Sequence, residues 1–191
     1  MELMRPDPET RVVDVGVADA GFGRTGECAT YNFFEELYPW RSNVTAVGLG
    51  GGARFAESYP DVRYVEADGC SLPFDDGEFD VYFSNAVVEH VGGRERQRLF
   101  VAEALRVAGS VFLTTPNRWF PIELHTRIPL VHWLPASAAG HFYELVRRPW
   151  AKEIDLLGPK ELAALFPPGS GVRIVNSFLT LAAVVGGAKH S

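Results

Sequence analysis

The stretch of residues 66–91, EADGCSLPFDDGEFDVYFSNAVVEHV, decides the fold of this chain. A short apolar run ends just before Asp68, and a turn that contains Leu72-Pro73-Phe74 follows. Phe79-Asp80 then opens a second apolar run, and Glu89-His90 follows on what we expect to be a helix. Two strands joined by a polar turn and followed by a helix are typical of an α/β protein.

Similar apolar runs lie on both sides of this stretch. They cover residues 12–15, 44–47, 62–65, 79–83 and 110–113, and two closing runs cover residues 172–178 and 181–185. A helical pattern follows Gly93 and is expected to end at Gly109, and a second helix is expected from Gly158-Pro159. The alternation predicts a doubly wound, seven-stranded and mostly parallel sheet with helices on both faces, in a single α/β domain over residues 1–191.

Composition excludes several classes of protein. The 191 residues carry 18 basic and 24 acidic side chains, and the densest basic stretch, residues 94–98, is interrupted by Glu95, so we expect no nucleic-acid partner. Cys28 and Cys70 form no metal-ligand pattern with the five histidines, so we expect no metal site. No apolar run reaches the ~18 residues of a membrane span and the first residues lack an apolar signal core, which predicts a cytoplasmic protein.

The order and spacing of the motifs in residues 66–91 resemble those of the class I S-adenosylmethionine (SAM) dependent methyltransferases, and within them the ubiquinone and menaquinone methyltransferase subgroup. Thr114-Thr115-Pro116-Asn117 and the two closing strands are also similar. The resemblance covers nearly the whole chain. It implies a Rossmann-like methyltransferase fold, SAM as the cofactor, and methyl transfer to a small-molecule acceptor such as a glycan, a lipid or a natural-product intermediate in biosynthesis.

The resemblance also implies where the cofactor binds, at the carboxyl ends of the strands. Asp68 would accept a hydrogen bond from the adenine amino group, and the Gly69 backbone would lie beside the ring. Asp14 and Gly16 would contact the methionine portion from one side, and Asn85 with Ala86 from the other. The full implied set is Asp14, Gly16, Val17, Leu49, Asp68, Gly69, Asn85 and Ala86.

Two departures from the family pattern concern the same site. Ala18 stands where the first loop usually has its second glycine, and the glycine pattern then runs out of register. The second strand usually ends in an acid that binds the ribose hydroxyls, but here residues 47–52 are VGLGGG. Such a hydrogen bond is worth ~1.5–3 kcal/mol, so SAM is held weakly, or Asp19 substitutes for the acid, or the cofactor is no longer used.

These departures leave two further functions open. A methyltransferase-like protein that no longer methylates could stabilise a partner chain or catalyse a different reaction in the pocket that the family uses for SAM. The pattern Gly48-x-Gly50-x-x-Ala53 also fits a dinucleotide fingerprint, which would indicate an NAD(P)-dependent oxidoreductase.

The segment of residues 116–158 is long and rich in Pro, Trp and His, and loops of this length are usually functional or contain helices of their own. We expect it to roof the pocket as a lid, with an apolar acceptor near Trp119 and Trp133, or to form an interface with a protein partner or in a homodimer. His125 and Glu123 are the candidate catalytic residues for proton transfer from the acceptor.

Overall fold

The computed structural model describes residue 4, residues 6–24 and residues 30–186. The strands are β1 (Val12–Val15), β2 (Gly23–Arg24), β3 (Thr30–Tyr31), β4 (Val44–Gly48), β5 (Arg63–Glu66), β6 (Phe79–Asn85), β7 (Ala108–Pro116), β8 (Arg173–Asn176) and β9 (Thr180–Val185). The α-helices are α1 (Phe33–Leu37), α2 (Ala53–Ser58), α3 (Arg94–Val107), α4 (Ala136–Leu145) and α5 (Pro159–Ala163). Short 3₁₀ helices cover Arg41–Asn43, Val131–Trp133 and Pro149–Glu153.

Seven of these strands form one mixed sheet in the order β5-β4-β1-β6-β7-β9-β8, and β2 pairs with β3 in a separate hairpin. The first five strands of that order pair in parallel, while β9 runs antiparallel to both of its neighbours. The predicted α/β class and seven-stranded, mostly parallel sheet are therefore confirmed. The strand order reverses between β1 and β6, and ligands bind in open sheets at the carboxyl ends beside such a reversal.

The stretch that decides the fold links β5 to β6 and packs onto α3. Leu72 and Phe74 are buried in the main core, and their backbone carbonyls accept hydrogen bonds from the Arg106 guanidinium at 3.0 and 2.7 Å. Glu103 completes this arrangement, because its carboxylate accepts the Leu72 N–H at 2.7 Å and pairs with Arg106. One arginine of α3 thus fixes the turn before the central strand β6.

Helix α3 has the predicted core face, with Phe100, Val101 and Ala104 buried. The expectation that Gly109 stops the helix was wrong. The chain turns to an extended conformation at Ala108, with φ −138° and ψ 146°, and Gly109 already lies inside β7. Parallel pairing of β7 with β6 ends the helix, so no glycine in a left-handed conformation is needed.

Residues 116–158 contain two of the 3₁₀ helices and α4 rather than an extended loop. Val131, Ala139, Tyr143 and Ala151 form a small core of their own. Among the described residues no helix is long and apolar enough to cross a membrane.

We expect Arg106→Ala to lower the free energy of unfolding by about 2 kcal/mol, since it removes several charged hydrogen bonds that are partly shielded from water. Arg98→Ala on the same helix is the matched control. Arg98 is exposed, and among the described residues its side chain pairs only with Glu95, one turn away on α3. This variant should lower the free energy of unfolding by less than about 0.5 kcal/mol. Urea unfolding followed by circular dichroism measures both. Equal losses in the two variants would show that Arg106 does not fix the turn.

Candidate active site

A cavity of about 1000 Å³ opens at the carboxyl ends of β1 and β6, where the strand order reverses. Its floor includes Asp14 and Gly16 from the end of β1 and Asn85 from the end of β6. Leu124, His125 and Trp150 from residues 116–158 line the opposite side. The cavity therefore has walls from both the sheet and the long segment.

Gly16 brings the first loop close to the turn after β6. Its φ of +111° lies in the region that favours glycine, and a Cβ atom there would stand 2.1 Å from Cγ2 of Val87. The N–H groups of Gly16 and Val17 both donate to the carbonyl of Val47 on β4. These two hydrogen bonds fix the backbone of Gly16 and Val17 at the wall of the cavity, the place that the resemblance assigned to them.

The remainder of the first loop depends on Asn32 rather than on further glycines. The buried side chain of Asn32 accepts a hydrogen bond from the Ala18 N–H at 3.0 Å and donates to the carbonyls of Ala18 and Ala20. These three bonds stabilise the turn in which Ala18 replaces the usual glycine. Sequence reasoning missed Asn32, because it lies fourteen residues beyond the loop that it holds.

Asp14 and Glu35 place two buried carboxyl groups at the cavity. Asp14 is 6% exposed and Glu35, on α1, is fully buried. Burial, together with the negative charge of Glu35, raises the pKa of Asp14 well above its ordinary value, and burial also raises the pKa of Glu35. The Glu35 carboxyl interacts with that of Asp14, and no other side chain among the described residues forms a hydrogen bond with its oxygens. In the described part of the chain no basic side chain neutralises this pair, and a cationic ligand in the cavity would supply the positive charge.

Asn85 and Ala86 lie at the end of β6 as expected, and both line the cavity. Asn85 accepts a hydrogen bond from the Thr114 hydroxyl at 2.6 Å. Ala86 adopts a φ of +55°, which is strained for a residue with a Cβ, and its N–H donates to the Thr114 carbonyl. Thr114 of β7 thus binds both Asn85 and Ala86 and holds this wall of the cavity in place.

Asp68 and Gly69 follow β5 at the same edge of the sheet. Gly69 packs so tightly that an added Cβ would stand 2.5 Å from the Phe100 ring. Asp68 accepts the Cys70 N–H at 2.9 Å and pairs with Arg96 at 2.6 Å, and its pKa is lowered first by the Cys70 bond and then by the Arg96 bond. An adenine amino group at Asp68 would therefore share the carboxylate with Arg96.

The position of the missing ribose acid is closed by an aromatic ring. A Cβ atom on Gly48 would stand 2.8 Å from the Tyr64 hydroxyl and 2.8 Å from the Val17 carbonyl, so no side chain fits there. The Tyr64 hydroxyl instead donates to the carbonyl of Gly50. Leu49, assigned to the cofactor site by the resemblance, is 80% exposed at the end of β4.

Asp19 lies beside this region but has another partner. Its Oδ1 accepts the N–H groups of Arg54 and Phe55 at 2.8 and 3.1 Å, at the start of α2. An anion already occupies the helix terminus at which a dinucleotide pyrophosphate would bind, which argues against the NAD(P) alternative.

His125 and Glu123 lie together, but in different roles. Nδ1 of His125 is 2.7 Å from Oε1 of Glu123, while Nε2 of His125 is 3.1 Å from Nε2 of His90. Burial acts to raise the pKa of Glu123, but hydrogen bonds from the His125 side chain and backbone and from Thr126 lower it to about 2. Glu123 is 3% exposed and therefore positions His125, and only His125 lines the cavity.

The sequence predicted Glu89-His90 on a helix, and this was wrong. The two residues lie in a turn that precedes α3. His132 was a further histidine of the long segment, and its Nε2 lies 3.0 Å from the Arg118 carbonyl and is held there. The rings of Trp119 and Trp133 lie 6.3 Å apart at an interplanar angle of 49°, and the two residues remain 59% and 43% exposed. They do not line the cavity, so the expected apolar wall is formed by Leu124 and Trp150 instead.

Residues 19–110, just under half of the chain, match a family model described as a methyltransferase domain. No curated protein matches the sequence. The fold is similar to that of a SAM-dependent methyltransferase from Methanosarcina mazei, at 15% identity over 94% of this chain and 92% of that one, with a TM-score of 0.59.

Two other solved structures are similar at 12% identity. Geranyl diphosphate C-methyltransferase from Streptomyces coelicolor, in complex with Mg²⁺, geranyl diphosphate and S-adenosylhomocysteine, matches over 98% of this chain and 76% of that one, with a TM-score of 0.60. A methyltransferase from Haloferax volcanii in complex with the Trm112 activator matches over 96% and 85%, with a TM-score of 0.55. At these identities the structures establish the fold alone.

Residues 19–110 are thus similar to a methyltransferase domain, and the chain has the fold of solved SAM-dependent methyltransferases. The site fits the methionine portion of SAM, because no basic side chain among the described residues lowers the pKa of the buried Asp14 or Glu35, and the Gly16 backbone lines the cavity beside them. The ribose end fits less well, because Tyr64 closes the position of the usual acid.

We expect Glu35→Gln to raise the free energy of unfolding of the ligand-free protein at pH 8, because the substitution removes one of two neighbouring buried carboxyl groups whose negative charges oppose each other. A carboxyl whose pKa is raised in the folded state stabilises the fold when protonated. Stability should therefore fall as the pH rises from about 4, the ordinary carboxyl value, and the fall should be shallower in Glu35→Gln.

Glu36→Gln is the control, since Glu36 is the next residue of α1 and is exposed. Thermal and urea unfolding from pH 4 to pH 8 measure all three proteins. A steeper fall in Glu35→Gln than in the wild type would contradict the charge repulsion between Asp14 and Glu35. Burial, and then the charge of Asp14, raise the pKa of the buried Tyr82, so its hydroxyl stays neutral over this pH range and does not contribute to the change.

Proposed function

We propose that this protein transfers a methyl group from SAM to a small-molecule acceptor with an apolar portion, in the cavity between β1, β6 and residues 116–158. The observation that carries the proposal is the pair of buried carboxyl groups, Asp14 and Glu35, at the reversal of the strand order. They complement the ammonium and sulfonium groups of SAM, which supplies an electrophilic methyl group when bound.

The implied cofactor residues have distinct tasks in this proposal. Asp14, with Glu35, attracts the cationic end, and Gly16 with Val17 lets it approach the backbone. Asn85 and Ala86 form the opposite wall, and Asp68 with Gly69 receives the adenine. Leu49 would cover the open face of the ribose and adenine, because its side chain is exposed at that edge.

The acceptor would enter from the side of residues 116–158. Leu124 and Trp150 provide apolar surface there, and His125 presents its Nε2. A second cavity of about 290 Å³ adjoins the first, shares Phe33 and Phe83 with it, and has an almost entirely apolar lining. An acceptor with an apolar portion fits this arrangement, and transfer in a methyltransferase depends largely on holding the two reactants in line.

Residues 116–158 would act as the lid of this site. Leu124, His125 and Trp150 face the cavity, which supports the roof that was expected from the sequence. Trp119, Leu130 and Leu134 are about half exposed, and an interface with a partner chain or a second copy through them stays a prediction.

Calorimetric titration with S-adenosylhomocysteine tests the cofactor assignment directly. We expect binding by the wild type and at least about tenfold weaker binding by Asp14→Asn, since one buried charged contact is worth ~1.5–3 kcal/mol. Asp61→Asn, an exposed residue before β5, is the control and should bind like the wild type. The absence of both heat and a thermal shift with millimolar ligand in the wild type would refute the proposal. Where the ligand binds, transfer of labelled methyl from SAM to apolar hydroxyl or amine compounds would identify the acceptor class.

Asp68 and Arg96 make the adenine assignment testable, because breaking their ion pair from either side should have different effects. Asp68→Ala should weaken S-adenosylhomocysteine binding about tenfold, because the acceptor for the adenine amino group is lost. Arg96→Ala should leave binding unchanged or strengthen it, since the competing donor on Oδ2 is gone. Equal weakening in both variants would show that Asp68 only holds its turn.

A further inference from the structure

Glu89, His90 and His125 bring three potential metal-ligand atoms together at the wall of the large cavity. Nε2 of His90 and Nε2 of His125 are 3.1 Å apart, and Oε1 of Glu89 lies 4.0 and 3.8 Å from them. The two halves of this cluster come from different parts of the chain, since Glu89 and His90 follow β6 and His125 belongs to residues 116–158.

Two of the three groups, His125 and Glu89, are held by their other atom, which leaves the inward-facing atom for a shared partner. Nδ1 of His125 lies 2.7 Å from the carboxylate of Glu123, which places the Nδ1 proton there and leaves the lone pair on Nε2. Oε2 of Glu89 accepts a hydrogen bond from the Thr115 hydroxyl at 2.9 Å. A histidine whose second nitrogen is bound by a carboxylate is the usual arrangement around protein-bound metals.

Oε1 of Glu89 is an independent observation that points to a ligand at this cluster. Glu89 is fully buried, and Oε1 has no hydrogen-bond partner among the described residues. A direct hydrogen bond between the two imidazoles would use their Nε2 atoms but would leave this oxygen unpartnered. A cation between the three atoms would bind all of them at once, and an unpartnered buried carboxylate oxygen is costly.

The spacing of the atoms fits a first-row divalent metal. Ligands that bind one tetrahedral Zn²⁺ at about 2.0–2.1 Å stand about 3.3 Å from each other, and the separations of 3.1, 3.8 and 4.0 Å bracket that value. Two imidazoles and one carboxylate favour zinc or a similar transition metal over Mg²⁺, which prefers oxygen ligands.

We propose that Glu89, His90 and His125 bind a first-row divalent metal ion, such as Zn²⁺, through Oε1 and the two Nε2 atoms. Three protein ligands leave a coordination position open, and both histidines line the cavity, so the open position faces it. An acceptor oxygen or a water molecule would occupy that position. His125 would then hold the metal rather than accept a proton from the acceptor, and the site goes beyond the proposed function because metal binding requires no SAM.

The experiment uses the untagged full chain after dialysis against a chelator, without SAM or S-adenosylhomocysteine. Zn²⁺ is titrated by calorimetry, and Co²⁺ is added as a spectroscopic probe whose visible absorption reports nitrogen and oxygen ligation. We expect one equivalent of metal to bind. His90→Ala and His125→Asn should each weaken it by at least about tenfold, and Glu123→Gln, which loosens the orientation of His125, should weaken it by about tenfold.

His141→Ala is the matched control, because His141 is an exposed histidine of α4 outside the cluster. Circular dichroism confirms that each variant is folded, and His90, whose side chain is 44% exposed, is the least demanding of the three ligands to replace. Failure of the wild type to bind one equivalent at 100 μM metal, or an equal loss in His141→Ala and His90→Ala, would overturn the proposal. Metal binding without any S-adenosylhomocysteine binding would support this site and refute the cofactor assignment, so the two failures are distinguishable.

Discussion

A buried carboxyl group on the central strand is the constraint around which the ligand-binding edge is built. Asp14 lies on β1, whose two neighbours β4 and β6 both run parallel to it, so the end of this strand is enclosed on both sides. Helix α1 adds a second carboxyl group, Glu35, instead of a base that would neutralise the first. Two neighbouring buried carboxyl groups destabilise the fold where both are ionised, and the cationic ligand proposed above would relieve that cost.

The sheet was predictable from the sequence, because its evidence is local. β-branched runs such as residues 44–47, and the LPF turn before Phe79, indicate strands and their order without reference to distant residues. The ends of elements were less predictable. Gly109 has the residue type of a helix stop, but pairing of β7 with β6, which no local pattern encodes, ends α3 one residue earlier.

The candidate site was predictable only where it repeats a family pattern. Asp14, Gly16, Asn85 and Ala86 were found in that way and do line the cavity. Asn32 and Glu35 were not, since Asn32 contacts the first loop from the start of α1 and Glu35 contacts Asp14 on β1 from within α1. The cluster of Glu89, His90 and His125 joins residues 35 positions apart, and no spacing rule for metal ligands spans such a distance through two separate segments.

The long segment is fixed to the site at more than one point, and this explains how the two halves of the cluster come to face each other. Gln97, fully buried on α3, donates to the carbonyls of Val88 and Asp155, and the Asp155 N–H donates to the Glu89 carbonyl. The end of the long segment is thereby tied to the turn that carries Glu89.

The start of the same segment is held separately. Arg148 donates to the Thr126 carbonyl at 2.7 Å, and the Thr126 N–H donates to Glu123, which in turn orients His125. The position of His125 at the cavity therefore depends on Thr126, before α4, and on Arg148, after it. In the proposed role of a lid, residues 116–158 would move only as a unit, because displacement of α4 would separate His125 from His90 and open that side of the cavity at the same time.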